Sequence, residues 1–239
     1  MPDRSAIAGP GGTLLIGDSM ALMLAEEFEA EGVRRGLATK AIAGIGCMQF
    51  RSERVRLGSG KLWELSWCRE VERRWKRWVV RNRPRRVLVL EASFTGASRE
   101  ISGKWYEPCE PEYMESYARD LGETAEFLRR HGVEAVLLTT PPPWVEDLNA
   151  AVLSELAGGG TNQLGPILRA DSDCHNRVRR QVARAMGVPI LDLESWVCPE
   201  GICSHEVEGT VLRPDGLHFL GAGAESVSRW LLDRVELLP

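Results

Sequence analysis

The sequence predicts a three-layer α/β/α sandwich built on a parallel sheet of about five strands. Short apolar runs alternate along the chain with longer segments of helical periodicity. The runs lack the apolar-polar alternation of a half-exposed strand, so they indicate strands that are buried on both faces. Helices between such strands cover both faces of the sheet, and five strands is close to the mean sheet size.

Five apolar runs are the predicted strands. They occupy residues 13–16, 38–42, 86–90, 133–138 and 188–193. Each run is short enough for a strand. Several are bounded by residues that interrupt regular structure, such as Gly17, Pro84 and the three prolines from Pro141. Because ligands bind beyond the carboxyl ends of parallel strands, the residues that follow these runs are the candidates for chemistry.

Helices are predicted between the strands wherever apolar residues recur at steps of three and four. The segments are about 20–35, 63–80, 113–130, 174–186 and 222–235. In the first helix the predicted inward positions are Leu22, Leu24, Phe28 and Val33. In the second, one stripe is formed by Trp63, Trp67, Val71, Trp75 and Trp78.

We expect one domain over residues 13–239, preceded by a polar, Gly/Pro-rich and flexible segment at 1–12. Residues 144–171 have the weakest pattern and contain three consecutive glycines from Gly158. We interpret that segment as an insertion or a lid over a site.

Composition excludes several classes of function. The net charge is −4, which gives no overall field for nucleic acid, and no window of about 18 apolar residues predicts a membrane span. The arginines beside the tryptophans of 63–80 are interpreted as the solvated face of an amphipathic helix, rather than as a membrane-surface or nucleic-acid face. A narrower alternative is that some of them contact an anionic acyl donor or acceptor.

The six cysteines leave the compartment open. They are Cys47, Cys68, Cys109, Cys174, Cys198 and Cys203. Six cysteines allow fifteen pairings, and disulfides would indicate an extracytoplasmic protein. The first residues lack the apolar core of a signal peptide, which favours the cytoplasm and free, buried thiols. For Cys198 and Cys203 a local disulfide or two thiols is favoured over a zinc site with His205, because the spacing is poor for zinc.

Ser19 follows the first predicted strand in the sequence Gly17-Asp18-Ser19. A sharp turn from strand to helix exposes the serine hydroxyl and leaves its N–H at a helix N-terminus, where it can stabilise an oxyanion. The alternative is that Asp18 or Ser19 only caps the helix.

Asp215 and His218 precede the last predicted helix. A histidine can remove the proton that makes a serine hydroxyl a poor nucleophile, and a carboxylate three residues earlier can orient its ring. The alternative is a surface turn at Pro-Asp-Gly.

Gly44 and Gly46 follow the second strand, where a glycine lets a backbone N–H approach a substrate; a simple tight turn is the alternative.

The order of these blocks resembles that of the SGNH/GDSL hydrolase superfamily from Thr13 onward. Gly17-Asp18-Ser19 is similar to its first block, Gly46 or Gly44 to its second, and Asp215-x-x-His218 to its last. The resemblance is closest to the SGNH domains associated with membrane O-acyltransferases and to their stand-alone relatives. The segments that carry this closer likeness are 105–109, 173–176 and 196–203.

The resemblance implies a flavodoxin-like fold and an acyl-Ser19 intermediate, with His218 as base and Asp215 as its partner. Ser19 and Gly46 would donate the N–H groups of the oxyanion hole. The third block departs from the family, because Glu91 to Gly96 replaces Gly-x-Asn-Asp and lacks the asparagine donor. Ser93, Thr95 or a backbone N–H is the expected substitute. Candidate substrate-binding residues are Asp18, Gly44, Ser93 and Thr95.

The predicted function is therefore that of an esterase or deacylase acting on a small-molecule or glycan acyl ester, with no metal and no organic cofactor. One alternative is an O- or N-acyltransferase, since the acyl-transferring relatives also tend to lack the asparagine. A second alternative is a non-catalytic binding domain on the same fold.

Overall fold

The structure, a computed structural model, describes residues 11–52, 54–57, 59–92, 97–143, 164–203, 206–207 and 209–237. Its strands are β1 (Thr13–Gly17), β2 (Thr39–Ala43), β3 (Arg54–Leu57), β4 (Leu62–Glu64), β5 (Arg86–Leu90), β6 (Ala97–Ile101), β7 (Lys104–Tyr106), β8 (Ala135–Thr139), β9 (Ile190–Leu191), β10 (Glu206–Val207) and β11 (Thr210–Val211). The helices are α1 (Ser19–Arg34), α2 (Cys68–Asn82), α3 (Pro111–Arg130), α4 (Leu164–Met186), α5 (Leu193–Val197) and α6 (Ala222–Glu236).

The predicted parallel sheet is confirmed. Its five strands lie in the order β2-β1-β5-β8-β9, and every neighbouring pair is parallel. This is the order of a flavodoxin-like sheet, whose strand order reverses beside β1. The carboxyl end of β1, where Ser19 follows, therefore lies at the position where such sheets bind ligands.

Helices cover both faces of this sheet, because successive strand residues point to opposite sides. Leu14 and Ile16 of β1 pack with α2, α3 and α4, whereas Leu15 packs with α1, α5 and α6. All three side chains are fully buried. Each face thus holds its own apolar core, and the fold is the expected three-layer sandwich.

A second, antiparallel sheet was not predicted. Its four strands lie in the order β4-β3-β6-β7, and its small core contains Val55, Leu57, Leu65 and Ala97. The helix predicted from residue 63 is wrong at its start, because Trp63 lies in β4 and pairs with Val55. Trp67 only precedes α2 and is 46% exposed, while Trp75 is buried as predicted.

Two further corrections concern helices. Val33, predicted to face inward, is 56% exposed, whereas Leu24 and Phe28 are buried and Leu22 is half-buried. α4 begins at Leu164, ten residues before the predicted start, so the last part of the segment interpreted as a lid is helical. Its remainder, residues 144–163, lies outside the described residues, as do Ser93, Thr95 and His205.

All six cysteines form disulfides, and the prediction of free thiols is wrong. The pairs are Cys47–Cys68, Cys109–Cys174 and Cys198–Cys203, of which the last was the local pair considered above. Disulfides persist in oxidising compartments, so they favour an extracytoplasmic location. Among the described residues, no helix is both long and apolar enough to span a bilayer.

Candidate active site

Ser19 is the first residue of α1 and follows β1 after a single intervening residue. Gly17 makes this tight connection possible, because a Cβ at its position would lie 1.6 Å from the carbonyl oxygen of Leu90 on β5. Asp18 caps the helix by accepting the N–H of Met20 at 2.9 Å. The Ser19 hydroxyl is left half-buried at the carboxyl edge of the sheet.

Ser19, His218 and Asp215 form a continuous hydrogen-bonded chain. Nε2 of His218 lies 3.0 Å from Oγ of Ser19, and its Nδ1 lies 2.7 Å from Oδ2 of Asp215. The His218 side chain is 21% exposed and that of Asp215 is 33% exposed, so both side chains remain partly accessible from solvent. The geometry matches the serine–histidine–carboxylate arrangement that activates a hydroxyl.

The turn that carries His218 keeps the Asp215 carboxylate charged. Its Oδ1 accepts the N–H groups of Leu217 at 2.9 Å and His218 at 2.7 Å. Partial burial acts to raise the pKa of Asp215, but the hydrogen bonds from the His218 ring and these two N–H groups outweigh it and lower the pKa. A charged Asp215 fixes the tautomer of His218 and stabilises the imidazolium that forms when Ser19 loses its proton.

Arg213 anchors this turn to the neighbouring strand end. The side chain is fully buried, and Nη1 donates to the carbonyl of Pro143, beyond β8, at 2.5 Å. Burial lowers the pKa of Arg213 to about 10, although the Asp215 carboxylate acts to raise it. The sequence did not predict this structural role of Arg213. Its position two residues before Asp215 was the signal that could have indicated it.

The sequence predicted the backbone N–H groups of Ser19 and Gly46 as oxyanion donors. The Ser19 N–H belongs to the first turn of α1, where N–H groups have no helical acceptor. Gly46 adopts φ +71°, a left-handed conformation that favours glycine, and its N–H has no recorded acceptor within the described part of the chain. Gly44 is different, because its N–H donates to the Gly17 carbonyl at 3.3 Å and Val71 fills the space beside it. Gly44 therefore supports the turn and does not fit a substrate-binding role.

Residues 44–47 contain the predicted oxyanion donor Gly46, and we call them the oxyanion loop. Two links join this loop to the start of α2. Cys47 is bonded to Cys68, and the indole N–H of Trp67 donates to the carbonyl of Ile45 at 3.2 Å. These links lie on either side of Gly46. They hold its N–H in place before a substrate arrives, which is what makes an oxyanion donor effective.

Beneath the loop, Glu91 joins three parts of the fold. Its buried carboxylate accepts the N–H of Gln49 at 2.7 Å and the hydroxyl of Tyr117 at 3.2 Å. Arg179 of α4 donates to the Glu91 carbonyl at 3.0 Å and to Asn176 at 2.9 Å. Burial raises the pKa of Glu91, while the nearby Arg179 guanidinium acts to lower it.

Asp18 belongs to the same buried group. It is 1% exposed, and its second carboxylate oxygen accepts the N–H of Ala92 at 2.9 Å. Burial raises its pKa to about 7, with a further contribution from the charge of Glu91. Both oxygens of Asp18 thus serve the fold, and the candidate substrate-binding role does not fit it.

The structure brings together Ser19, His218 and Asp215, all of which were predicted from the sequence. It joins the loop of Gly46 to β1 through the Gly44 N–H and the Gly17 carbonyl. In the third block, Ser93 and Thr95 lie outside the described residues, and the N–H of Ala92 is used by Asp18. Glu91 and Arg179 were missed. The available signals were an acidic residue directly after an apolar strand and an arginine three residues after Asn176 on the inward face of a helix.

His175, His131 and the Cys198–Cys203 pair have structural partners of their own. His175 is fully buried and contacts the Tyr113 hydroxyl at 3.3 Å, and His131 caps α3 by contacting the Phe127 carbonyl at 2.8 Å. Cys198 and Cys203 are bonded to each other, so they are not available as the zinc thiolates considered above. In the described ranges no three His, Cys, Asp or Glu side chains cluster as metal ligands would.

Comparisons with known proteins agree with this geometry. A family profile described as "SGNH domain (fused to AT3 domains)" matches residues 2–232. A search of curated protein sequences finds no match to the chain.

Several solved structures share the fold. The periplasmic domain of a lipopolysaccharide acetyltransferase from Salmonella ser. Paratyphi A superposes with a TM-score of 0.63 at 14% identity, covering 96% of this chain and 85% of that one. A catalytic mutant of the acetylxylan esterase Axe2 from Geobacillus stearothermophilus gives a TM-score of 0.56 at 17% identity, covering 97% of both chains. LAE5, an enzyme from the metagenome of Lake Arreo, gives 0.56 at 16% identity, covering 97% of this chain and 98% of that one.

Proposed function

We propose that this chain, which belongs to the family of SGNH domains fused to AT3 domains, is a serine-dependent acyl-ester enzyme that works through an acyl-Ser19 intermediate. The observation that carries the proposal is the hydrogen-bonded chain from Ser19 through His218 to Asp215, with distances of 3.0 and 2.7 Å. A binding domain without catalysis has no need to align these three side chains.

The proposed reaction begins when Oγ of Ser19 attacks the ester carbonyl and Nε2 of His218 takes the hydroxyl proton. The N–H groups of Ser19 and Gly46 receive the charge that develops on the carbonyl oxygen. The tetrahedral intermediate collapses, the C–O bond to the alcohol breaks, and His218 gives its proton to the departing oxygen. Asp215 stabilises the imidazolium throughout.

In the second half of the reaction, His218 removes a proton from the attacking acceptor. Water as acceptor releases the free acid and restores Ser19, which is the action of an esterase or deacylase. We take this as the first candidate, with a small-molecule or glycan acyl ester as substrate. The three disulfides support an extracytoplasmic site of action.

A fluorophosphonate probe tests the proposal, because only an activated serine reacts with it. We expect stoichiometric labelling of the wild-type protein, with the adduct on the peptide that contains Ser19. Ser19→Ala should abolish labelling, and Ser52→Ala, which removes a different serine hydroxyl, should not. An unlabelled wild-type protein would show that the fold is used for binding alone.

Acyl transfer to a hydroxyl or an amine is the second candidate. It is supported by the third block, where the family's asparagine is absent and the Ala92 N–H is already used by Asp18. Loss of one oxyanion donor costs roughly 2.7–4 kcal/mol of transition-state stabilisation, which weakens the case for a general esterase. The neighbour from Salmonella ser. Paratyphi A, an acetyltransferase domain, adds to this support.

The two candidates differ in how the acyl-enzyme partitions between reaction with water and reaction with an added acceptor. The enzyme is supplied with an activated acetyl ester and rising concentrations of sugars, alcohols or amines, and both products are measured. Transfer predicts a saturable acylated product that forms at the expense of free acid. Free acid as the sole product across a broad acceptor panel would establish hydrolysis.

A further inference from the structure

An exposed apolar surface lies beside the oxyanion loop. It borders a shallow cavity of about 520 Å³, and we call it the tryptophan surface; its residues are Ile45, Leu62, Trp63, Glu64 and Trp67. Ile45 is 52% exposed, Leu62 is 48% exposed and Trp67 is 46% exposed. Large apolar side chains that share one exposed patch with a polar rim are typical of binding sites.

The tryptophan surface is continuous with the candidate active site. Ile45 directly precedes Gly46, and Trp67 donates its indole N–H to the Ile45 carbonyl at 3.2 Å. The next residue after Trp67, Cys68, is bonded to Cys47 on the other side of Gly46. The surface is thus fixed relative to the proposed oxyanion donor. The loop is also joined to the turn before Ser19, because the Gly44 N–H donates to the Gly17 carbonyl at 3.3 Å. The surface therefore borders the side of the candidate site that carries Gly46.

The chemistry of the lining distinguishes between those halves. Indole rings offer apolar faces with a polar edge, and here they stand beside two aliphatic side chains and Glu64. The Glu64 side chain is 64% exposed, and its Oε1 accepts the Nε–H of Arg54 at 3.2 Å. A pyranose ring has the complementary character, since its axial C–H groups make one face apolar and its hydroxyls lie at the perimeter. A long acyl chain has no hydroxyl for Glu64, and it is bound by enclosed apolar pockets rather than by shallow surfaces.

We propose that the tryptophan surface binds the sugar ring of a pyranoside ester, with Trp67 beneath the C–H face of the ring and Glu64 at its hydroxyls. The inference rests on the proposed function, because it assigns the alcohol half of the ester whose acyl group reaches Ser19. Contacts to this remote ring orient the scissile carbonyl, so a pyranoside ester reacts faster than an ester without a ring.

The test compares two monoacetyl esters, methyl 6-O-acetyl-glucopyranoside, whose other ring hydroxyls are free, and the ring-free 2-hydroxyethyl acetate. Acyl release is measured to water and to hydroxylamine, so that the result does not depend on whether the enzyme hydrolyses or transfers. The quantity of interest is the ratio of kcat/KM for the pyranoside to kcat/KM for the ring-free ester. We expect Trp67→Ala to lower this ratio at least tenfold, mainly through KM.

Three further variants separate binding of the ring from support of the loop. Trp67→Phe keeps an aromatic face but loses the N–H that holds Ile45, and we expect its ratio to stay within threefold of the wild type. Leu62→Ser should lower the ratio, because Leu62 belongs to the surface and lies on β4 rather than in residues 44–47. Trp105→Ala is the matched control, since Trp105 lies on β7 against Arg54 and Arg56 and outside the surface.

Fluorophosphonate labelling of each variant keeps this inference distinct from the proposed function. A labelled Trp67→Ala protein with an unchanged ratio overturns the sugar-binding surface and leaves the acyl-enzyme proposal standing. Loss of labelling in both Trp67 variants also overturns it, since Trp67 would then act only on the loop. An unlabelled wild type overturns the proposed function, and this inference falls with it.

Discussion

The carboxylate of Asp18 accepts the N–H of Ala92 at 2.9 Å, which joins the turn before Ser19 to the residues that follow β5. Its other oxygen holds Met20 in the first turn of α1. The residue directly before the proposed nucleophile therefore connects two strand ends instead of facing a ligand. This connection sets the position of Ser19 relative to the rest of the site.

The first prediction concerns the three aligned side chains. Ser19→Ala and His218→Ala should each lower kcat/KM by about 10³-fold or more, and the double variant should be no worse than the single ones, because the residues act as one unit. Initial rates with an activated acetyl ester measure this, and thermal unfolding checks that the fold is intact. Most of the activity remaining in Ser19→Ala would contradict the assignment.

The second prediction concerns pH and Asp18. Its pKa of about 7 in the folded protein lies above the ordinary value of about 3.9. The stability from protonated Asp18 is fully present below pH 3.9 and is lost as the pH rises through about 7. Asp18→Asn should flatten the fall in the free energy of unfolding between pH 5 and 8, as measured by urea titrations. At pH 5 it should lower stability by roughly 1–3 kcal/mol, since an amide N–H₂ cannot accept a backbone N–H, and this deficit should shrink as the pH rises and the wild type loses stability. Identical pH slopes in the two proteins would contradict this.

A third prediction compares two neighbouring arginines of α4. Arg179→Met removes a cation that acts on the buried carboxylates of both Glu91 and Asp18, so it should cost on the order of 3 kcal/mol. Arg180→Met is the control, because Arg180 is 35% exposed and pairs with Asp192 and Glu194 at the surface. It should cost less than about 1 kcal/mol. Equal losses would mean that the buried charges do not depend on Arg179.

The disulfides give the fourth prediction. Cys109–Cys174 spans 65 positions and Cys198–Cys203 spans five. Loop-closure entropy then predicts a loss of roughly 4 kcal/mol for Cys109→Ala/Cys174→Ala and roughly 2 kcal/mol for Cys198→Ala/Cys203→Ala. Urea unfolding measures both, and intact mass after alkylation without reductant should show no free thiol in the wild type. Six alkylated thiols would overturn the pairing.

The sequence predicted the parallel sheet and the three hydrogen-bonded side chains of the candidate site because both leave local signals. A strand such as β5 is an uninterrupted apolar run, and Ser19 and His218 each stand in a short motif beside a predicted element. These signals do not depend on contacts with distant parts of the chain.

The antiparallel sheet and the buried charges depend on distant contacts and left weaker signals. Trp63 and Trp67 fall at helical spacing with Trp75, but the pairing of β4 with β3 decides the conformation of Trp63. Glu91 and Arg179 are 88 positions apart, and either one alone resembles a surface residue. Periodicity within one segment carries no information about such pairs.

The distance along the chain between Ser19 and His218 has a consequence for biosynthesis. These residues are 199 positions apart, and Arg35, just after α1, binds Asp233 and Glu236 of α6. During synthesis the serine leaves the ribosome long before its base exists, so a nascent or truncated chain carries an ordinary, unreactive hydroxyl. Under the proposed function, Ser19 becomes reactive only after the turn of Asp215 and His218 has packed beside it, so serine labelling would report completed folding.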